Sequence, residues 1–554
     1  MKTDIQIAQE NVMAPITTIC EKVNIPDEYI IPHGKHIAKV DLKLMKELEN
    51  KENGKLILVT AINPTKAGEG KSTTTIGLTD ALALRGKKVM AALREPSSGP
   101  VFGLKGGATG GGYAQVVPMD DINLHFTGDM HAITMANNLI SAMIDNHIFQ
   151  GNELNINPER VVWKRCLDLN DRSLRQITIA QGAKNGQERK DGFNITVASE
   201  VMAILCLSEN LQDFEEKISN CIIGYNYDDE PIYVRDLNCS GAIALIMKDA
   251  INPNLVQTLA KTPVLIHGGP FANIAHGCNS VLATKMALKL ADYTVTEAGF
   301  GADLGAEKFF DIKCRKANLK PSAVVVVATI RALKMHGGVE SDNLSTENID
   351  ALMKGVENLA KHIENVQKYK LPYVVAINKF TADTEAEVVA LTNWCKENNH
   401  PVAFSDVWAK GGEGGLELAD RVIELCEKPN EFKPLYDLDK TIREKVETIV
   451  REVYGGKDVV FTEDAEAQLA LFEKMGWGNL PVCMAKTPNS LTDNAKVMGR
   501  PTDFTVTVKE LRISHGAGFV VVLCGAVMTM PGLPKVPASC NMSIDADGII
   551  KGLF

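Results

Sequence analysis

The sequence NPTKAGEGKSTTT, residues 63–75, decides the fold of this chain of 554 residues. It directly follows the apolar run Leu56–Thr60, whose aliphatic and β-branched side chains predict a strand. Residues 72–84 are typical of a helix that ends at Gly86, and residues 88–93 begin a second strand. A strand, loop, helix and strand in this order form a βαβ unit, which predicts an α/β fold built on a mostly parallel sheet.

The loop inside this unit has the composition of a phosphate-binding loop, or P-loop. Gly70, Lys71 and Ser72 match the second half of the pattern GxxxxGK[ST], whereas Thr65 stands where the first glycine is usual. Glycines let backbone N–H groups turn towards phosphate oxygens, the lysine can reach the β- and γ-phosphates, and the serine can ligate Mg²⁺. The following helix directs its positive end at the anion. We therefore predict a nucleotide phosphate site here, with a plain glycine turn before a helix as the alternative.

The same loop also resembles the KGGxxGK[ST] variant of partition and septum-site ATPases. In those proteins the first lysine reaches across a dimer to the partner's nucleotide, and Lys66 stands in that position. A regulatory nucleotide switch is therefore a rival function, and a solvated loop lysine is the plain alternative for Lys66. Such switches are about half as long as this chain and lack a counterpart of the glycine-rich residues 103–113.

Further apolar runs predict the remaining strands and a division into domains. They lie at Thr262–His267, Tyr293–Glu297, Ala323–Thr329 and Tyr373–Asn378, and each is followed by residues suited to a ligand crevice. The length allows three or four domains. We predict a P-loop domain made of residues 1–140 and 256–380, an inserted α/β domain at 141–255, and a C-terminal α/β domain at 381–554.

Several residues at predicted strand ends are candidates for contacts with the nucleotide. Arg94 ends the second strand and can clamp an anion, or form a structural salt bridge. The stretch GLKGGATGGGY, residues 103–113, has six glycines in eleven positions, a density that suits a loop wrapped around a ligand. A flexible surface loop is the alternative.

Other candidates are less specific. Residues 376–380 with Asp383 resemble the base-reading NKxD element of GTPases, but the aspartate comes one place late. Glu297 or Asp303 could hold a metal or cap a helix. Three histidines, His125, His131 and His267, are candidates for proton transfer. Two aromatic residues that follow loop signals, Phe380 and Trp408, could sandwich a flat heterocycle between their rings.

Composition narrows the class of protein. Apolar residues make up 45% and charged residues 23%, and the net charge of −10 argues against binding nucleic acid, which needs a basic face. The first fifteen residues carry charges where a signal peptide would be apolar, and the longest apolar run is too short to span a bilayer. The 12 cysteines form no CxxC pair. A cytoplasmic enzyme without a membrane partner is the expectation.

The chain resembles the formate–tetrahydrofolate ligase family, also called formyltetrahydrofolate synthetases, over nearly its whole length. Residues 103–113 look like one signature of that family, and residues 327–338, VATIRALKMHGG, look like the second. Residues 65–72 are similar to its ATP loop, including the missing first glycine, and residues 531–537, PGLPKVP, resemble its C-terminal element. The departures are small, with Thr109 standing where the signature commonly has alanine.

The resemblance implies an activity and its cofactors. Formate, ATP with Mg²⁺, and tetrahydrofolate would give 10-formyltetrahydrofolate, ADP and phosphate, through a formyl phosphate intermediate. It further implies a homotetramer and activation by a monovalent cation, K⁺ or NH₄⁺.

The resemblance also implies roles for individual residues. Arg94 would contact formyl phosphate, Glu95 would lie near the monovalent cation, and Phe380 and Trp408 would stack on the pterin. Adenine would rest against the stretch that contains Pro531 and Pro534. The expected nucleotide loop comprises Thr65, Lys66, Ala67, Gly68, Glu69, Gly70, Lys71 and Ser72, with Lys71 in catalysis and Ser72 on the metal. The resemblance does not make the general base evident, and His125 and His131 are our candidates for it.

Overall fold

A large, mainly parallel β-sheet forms the centre of the computed structural model, which describes residues 2–66, 68–104, 109–525 and 527–553. Seven neighbouring strands run parallel and are labelled in chain order: β1 (Lys55–Ala61), β2 (Val89–Leu93), β3 (Pro263–Ile266), β4 (Tyr293–Glu297), β5 (Ala323–Ala328), β6 (Tyr373–Asn378) and β7 (Val402–Ser405). Their order across the sheet is β3-β2-β4-β1-β5-β6-β7. The predicted mostly parallel α/β sheet is confirmed.

Shorter strands extend the sheet beyond β3. Asn254–Thr258 pairs antiparallel with β3 and in turn with Ala38–Val40 and Ala114–Val117. Ile30–Pro32 pairs with Ala38–Val40, and Gly110–Gly111 pairs with Ala114–Val117. With these five strands the sheet has twelve strands within the described ranges.

The central strands are buried along their length because helices cover both faces of the sheet. Every residue of β1 after Lys55 is buried, as is every residue of β5, and such continuous apolar strands are typical of covered parallel sheets. Helix α1 (Lys71–Leu84) packs with Leu416–Cys426 on one face, whereas Ile349–Lys368 packs on the other. Burial of about 25 cal/mol per Å² of this apolar surface is the main favourable term that holds the layers together.

The other helices of seven or more residues lie around this core or in the peripheral parts. They are Asp4–Glu10, Ile16–Lys22, Asp129–Phe149, Glu200–Leu207, Leu211–Ser219, Ser240–Met247, Val281–Leu290, Ile330–His336, Glu385–Glu397, Ile442–Ile449 and Glu463–Lys474. Across the described ranges, none of the helices has the length and apolar character required to cross a membrane.

Two peripheral regions have small sheets of their own. Within 141–255, Ile156–Val161, Ile222–Asn226 and Pro231–Tyr233 form three antiparallel strands. Near the C-terminus, Asp458–Phe461 pairs with Thr505–Val508, and Val482–Ala485, Phe519–Leu523 and Glu510–Ser514 form a second group. A separate apolar cluster packs this C-terminal region, whereas β7 belongs to the central sheet. The predicted boundaries at residues 140, 255 and 380 stay predictions.

Candidate active site

A cavity of about 1280 Å³ opens where the parallel strands end. Carboxyl ends of parallel strands meet at one edge of a sheet, so residues far apart in sequence converge there. The cavity is lined by most of the residues that the sequence singled out: Thr65, Lys66, Gly68, Glu69, Gly70, Lys71, Ser72, Arg94, Glu297, Phe380 and Trp408. Ala67 lies outside the described residues.

The loop after β1 turns into helix α1 through glycines in the left-handed region. Gly68 has φ 77° and Gly70 has φ 71°, and Gly70 immediately precedes the first helical residue, Lys71. A Cβ at position 70 would lie 2.4 Å from Nδ2 of Asn378, which donates a hydrogen bond to the carbonyl of Glu69 at 3.1 Å. Both the positive φ and the lack of room for a Cβ therefore require glycine at position 70. The backbone N–H groups of the first turn of α1 lie at the end of the helix next to the cavity.

Thr65, which stands in place of the usual first glycine, is held by the carboxylate of Glu69. Oε1 of Glu69 accepts hydrogen bonds from the Thr65 backbone N–H at 2.7 Å and from its hydroxyl at 2.9 Å. The second carboxylate oxygen accepts from the hydroxyl of Thr329. The hydrogen bonds of the Glu69 carboxylate thus fix the backbone turn at Thr65. In the usual loop pattern a glycine at this position adopts the turn because its backbone is less restricted.

The stretch after β5 contacts this loop directly. Thr329 caps the helix Ile330–His336, and the Arg331 guanidinium donates to the carbonyl of Gly68. The same guanidinium carbon lies 3.7 Å from the ring centroid of Phe380, close enough for a cation–π interaction. Burial lowers the pKa of Arg331. Residues of the stretch 327–338 therefore support both the loop after β1 and an aromatic wall of the cavity.

Glu297, the last residue of β4, connects Ser72 and Arg94. The Ser72 hydroxyl donates to Oε2 of Glu297 at 2.8 Å, and Nη2 of Arg94 lies 3.5 Å from Oε1. Nε of Arg94 is buried and has no hydrogen-bond partner in the described part of the protein. A hydroxyl beside a carboxylate supplies the oxygen ligands that Mg²⁺ prefers, and the guanidinium keeps donor capacity for an anion.

Glu95 lies next to Arg94 in sequence but away from the cavity lining. Its side chain is buried near Asp129 and Lys39, which form an ion pair at 2.8 Å. Burial, followed by the negative charge of Asp129, raises the pKa of Glu95 well above its ordinary value. Oε2 of Glu95 has no partner among the described residues. The family resemblance implied that Glu95 lies near a monovalent cation, and the loop pattern predicted that Ser72 ligates Mg²⁺. In the structure Ser72 lines the cavity, whereas Glu95 is buried outside its lining.

The described part of the glycine-rich stretch packs against Trp408. The backbone N–H of Tyr113 donates to the carbonyl of Trp408 at 2.8 Å, and a Cβ at Gly112 would lie 2.1 Å from that oxygen. Gly112 also donates to Asp4 at 2.8 Å. Residues 105–108 of this stretch lie outside the described residues.

Of the described aromatic side chains, four line the cavity, two more than the sequence indicated. Phe271 and Phe300 join Phe380 and Trp408. Phe300 has φ 61°, a left-handed conformation that costs an aromatic residue about 1–3 kcal/mol and is found most often at functional sites.

Asn63 is the centre of a buried polar network behind the loop. Its amide nitrogen donates to Asp303 and to the carbonyl of Pro488, each at 3.1 Å. Its amide oxygen accepts from Asn358 at 3.0 Å and lies 3.0 Å from Nε2 of His362. Pro488 lines the cavity. The network therefore joins the start of the loop to a wall contributed by the C-terminal region.

The same network continues through the backbone of Asn63. Nε2 of His336 lies 3.1 Å from the Asn63 carbonyl, and Nδ1 of this ring accepts from the Gly499 N–H at 3.1 Å. These partners fit a neutral ring with its proton on Nε2, and burial lowers the pKa of His336. Asp303 also pairs with Lys486 at 2.7 Å with both side chains fully buried, so Asp303 is occupied structurally and is not a free metal ligand.

Several sequence candidates lie elsewhere. His125 and His131 are exposed, and His267 is buried between the Ser280 hydroxyl and the Ala250 carbonyl, each at 2.7 Å. Within the described ranges, neither Pro531 nor Pro534 lines the cavity. No group of three histidine, cysteine or acidic side chains in the described ranges is arranged to hold a metal.

The sequence patterns assigned no individual role to Asn63, Thr329 or Arg331, although all three lie in the quoted stretches 63–75 and 327–338. Thr329 and Arg331 could have been found, because they directly follow an apolar strand run at the same sheet edge as the loop. The role of Asn63 depends on contacts with residues about 240 to 430 positions away, which no local pattern indicates.

A family model described as formate–tetrahydrofolate ligase matches residues 2–554. The match covers almost the entire chain, including both signature stretches and every cavity residue named above.

Proposed function

The chain belongs to the formate–tetrahydrofolate ligase family of ATP-dependent carbon–nitrogen ligases, and from this premise we propose that its cavity joins formate to tetrahydrofolate through formyl phosphate. The product is 10-formyltetrahydrofolate, with ADP and phosphate released. The observation that supports this most is that the described residues of the loop 65–72, Arg94 and the aromatic pair Phe380 and Trp408 line a single cavity.

The chemistry explains why one cavity is needed. Formate is a weak electrophile because resonance stabilises its carboxylate, and phosphorylation converts it into a mixed anhydride with a good leaving group. The folate amine then attacks the formyl carbon and phosphate departs. An anhydride of this kind hydrolyses in water, so the acceptor must be bound beside it and solvent must be excluded.

Lys71, Arg94 and Ser72 are the proposed groups for phosphoryl transfer. Positioning and neutralisation of charge are the main requirements of this step. Lys71 would contact the outer phosphates and Arg94 the formyl phosphate. Mg²⁺ would be held by the Ser72 hydroxyl, whose partner Glu297 offers a second oxygen ligand, and the bound ion would neutralise phosphate charge.

A monovalent cation, K⁺ or NH₄⁺, is proposed near Glu95. Burial and the negative charge of Asp129 raise the pKa of Glu95 and favour its neutral form, and a cation bound beside the unpartnered Oε2 would favour the carboxylate instead. Such a cation would hold the strand end that carries Arg94 in place.

Phe380 and Trp408 are proposed to sandwich the pterin. Phe380 already has one ring face occupied by the Arg331 guanidinium, which fixes the orientation of the ring. The proposed adenine position near Pro531 and Pro534 lacks support from the cavity lining, and His125 and His131, both exposed, gain no support as general bases. A homotetramer and a cytoplasmic location are carried forward as proposals from the family resemblance.

The decisive experiment measures ADP release by the purified chain with ATP and Mg²⁺. We expect turnover only when formate and tetrahydrofolate are both present, and stoichiometric 10-formyltetrahydrofolate. Hydroxylamine added with formate alone should trap formyl hydroxamate if formyl phosphate forms. ATP turnover that ignores both co-substrates contradicts the proposed activity, and product formation without any trapped hydroxamate contradicts the intermediate.

A further inference from the structure

A second cavity, of about 530 Å³, has a charged lining that is entirely basic. We name it the basic pocket, and it is lined by Lys164, Arg172, Ser173, Arg175, Gln176, Phe193, Arg512, Val527, Met528, Thr529 and Met530. Four cations without a carboxylate in the lining stand out in a chain whose net charge is −10. Like charges gathered in this way repel one another unless an anion lies between them.

Two of the arginines are held in place by acceptors that carry no charge. Nε of Arg175 donates to the carbonyl of Met530 at 2.9 Å, and its Nη2 lies 2.8 Å from the Met528 sulfur. Arg172 donates to the carbonyl of Leu533. Carbonyl and thioether partners fix the planes of both guanidinium groups but leave their positive charges uncompensated, and other N–H donors remain for a ligand.

The remaining two cations differ from each other. Arg512 pairs with Glu510 at 2.6 Å, so its charge is largely compensated. Lys164 has no ion pair in the described part of the protein. Burial and then the charge of Arg512 lower the pKa of Lys164, with Asp191 and Glu510 opposing this more weakly. Among the residues that the structure describes, three of the four cations therefore lack a carboxylate partner.

The basic pocket is separate from the main cavity and shares no lining residue with it. The helix Ser98–Gly103 lies between the two regions, because its Pro100 lines the main cavity while Gly99 packs against Ile195. The backbone N–H of Ile195 donates to the carbonyl of Thr529, a lining residue of the basic pocket, at 2.7 Å. An anion in the basic pocket would thus be bound behind the proposed nucleotide site, not in it.

We propose that the basic pocket binds a multiply charged anion, an oligophosphate or an oligocarboxylate, in addition to the substrates of the main cavity. The two fixed arginines and Lys164 supply charge, whereas Ser173, Gln176 and Thr529 supply neutral donors and acceptors. Phe193, Val527 and Met528 add apolar walls, which favour a ligand with a short carbon skeleton over a bare monovalent ion.

Calorimetric titration with inorganic tripolyphosphate and, separately, with citrate tests this proposal. Because tripolyphosphate can also enter the main cavity, the titrations use the Lys71→Ala/Arg94→Ala chain, in which binding there is weakened. We expect one site per chain whose affinity falls at least tenfold when Arg172→Gln and Arg175→Gln are added. Arg443→Gln, which removes an exposed arginine paired with Glu466, is the matched control and should leave binding unchanged.

The outcomes separate the two ligand classes and are independent of the proposed activity. Binding of tripolyphosphate alone identifies oligophosphate, and binding of citrate alone identifies oligocarboxylate. Thermal melting checks that each variant is folded. If folded protein binds neither probe, or if the Arg172→Gln/Arg175→Gln changes leave affinity as it was, the pocket is not an anion site. Ligase turnover of the unaltered chain remains a separate measurement, so failure of one proposal does not decide the other.

Discussion

The Ser72 hydroxyl donates to Glu297 at 2.8 Å, and the Arg94 guanidinium lies 3.5 Å from the other oxygen of the same carboxylate. One acidic side chain at the end of β4 therefore orients two residues from different elements, Ser72 in the first turn of α1 and Arg94 directly after β2. Before any ligand is bound, this carboxylate also balances the positive charge of Arg94. A ligand anion would compete with Glu297 for the guanidinium, whereas a metal cation would favour the carboxylate.

Glu297→Gln should lower turnover about tenfold to a hundredfold while the chain stays folded. The amide keeps the shape and one acceptor but loses the charge that orients Arg94 and contributes to a metal site. Turnover at rising Mg²⁺ concentration is the measurement, and the variant should need more Mg²⁺ than the unaltered chain. An unchanged Mg²⁺ requirement would remove Glu297 from the metal site.

Arg94→Ala should lower turnover about a hundredfold or more, since it removes a positioned charge contact to the proposed formyl phosphate. Steady-state kinetics with saturating ATP and formate measure the effect. Arg85→Ala is the matched control, because Arg85 is partly exposed, pairs with Asp420 at 2.6 Å and lies outside the cavity lining. Equal rates for the Arg94 variant and this control would make Arg94 a structural residue only.

Asn63→Ala should destabilise the protein by about 2–4 kcal/mol, because several buried hydrogen-bonding groups lose their partner together. Since Pro488 loses its contact with the loop, the KM for ATP should rise as well. Urea unfolding and steady-state kinetics measure the two effects. Asn343→Ala, at an exposed position, serves as the control. Native-like stability of the Asn63 variant would show that the network is not cooperative.

Phe380→Leu should raise the KM for tetrahydrofolate about tenfold and leave the KM for ATP nearly unchanged. Loss of an aromatic stacking partner removes about 1–2 kcal/mol. Trp408→Leu should act in the same direction. Tyr227→Leu, an exposed aromatic residue far from the cavity lining, is the control. A rise in the KM for ATP instead would assign the aromatic wall to adenine.

His267 should make the chain less stable in acid. Burial lowers the pKa of His267 to about 4 from its ordinary value of 6.5. The unfolded chain therefore binds a proton below pH 6.5 that the folded chain binds only below pH 4, so the stabilising contribution of neutral His267 is lost as pH falls through this range. Between pH 7.5 and 5 the loss is about 2 kcal/mol.

The comparison of His267→Gln with the unaltered chain isolates this contribution from that of buried carboxyl groups. Glu200, for example, has its pKa raised by burial to about 7, which acts in the opposite direction. Urea unfolding at several pH values should show the difference in unfolding free energy between the two chains shrinking by about 2 kcal/mol on acidification. A difference that is constant with pH would show that folding leaves the pKa of His267 at its unfolded value.

Local sequence patterns predicted the central fold well because they report on burial and backbone conformation. Local sequence is enough to indicate the apolar strand β1, the glycines at 68 and 70, and the arginine at the end of β2. The structure brings the two glycines and this arginine together at the edge of the sheet where the strands end. Local patterns did not indicate the roles of Asn63, Thr329 and Arg331, because these roles depend on which strands, distant in sequence, become neighbours in the sheet. The strand order of a sheet is decided by packing of whole layers, which no single segment encodes.

The contact of Glu69 with both Thr65 and Thr329 has a consequence for dissecting this protein into pieces. A fragment that ends before β5 would contain every amino acid of the nucleotide loop, yet it would lack the hydroxyl 260 positions later that fixes one oxygen of Glu69. The proposed recognition of ATP by this loop therefore depends on a residue made well past the midpoint of the polypeptide, and we expect shorter pieces to bind ATP more weakly than the whole chain.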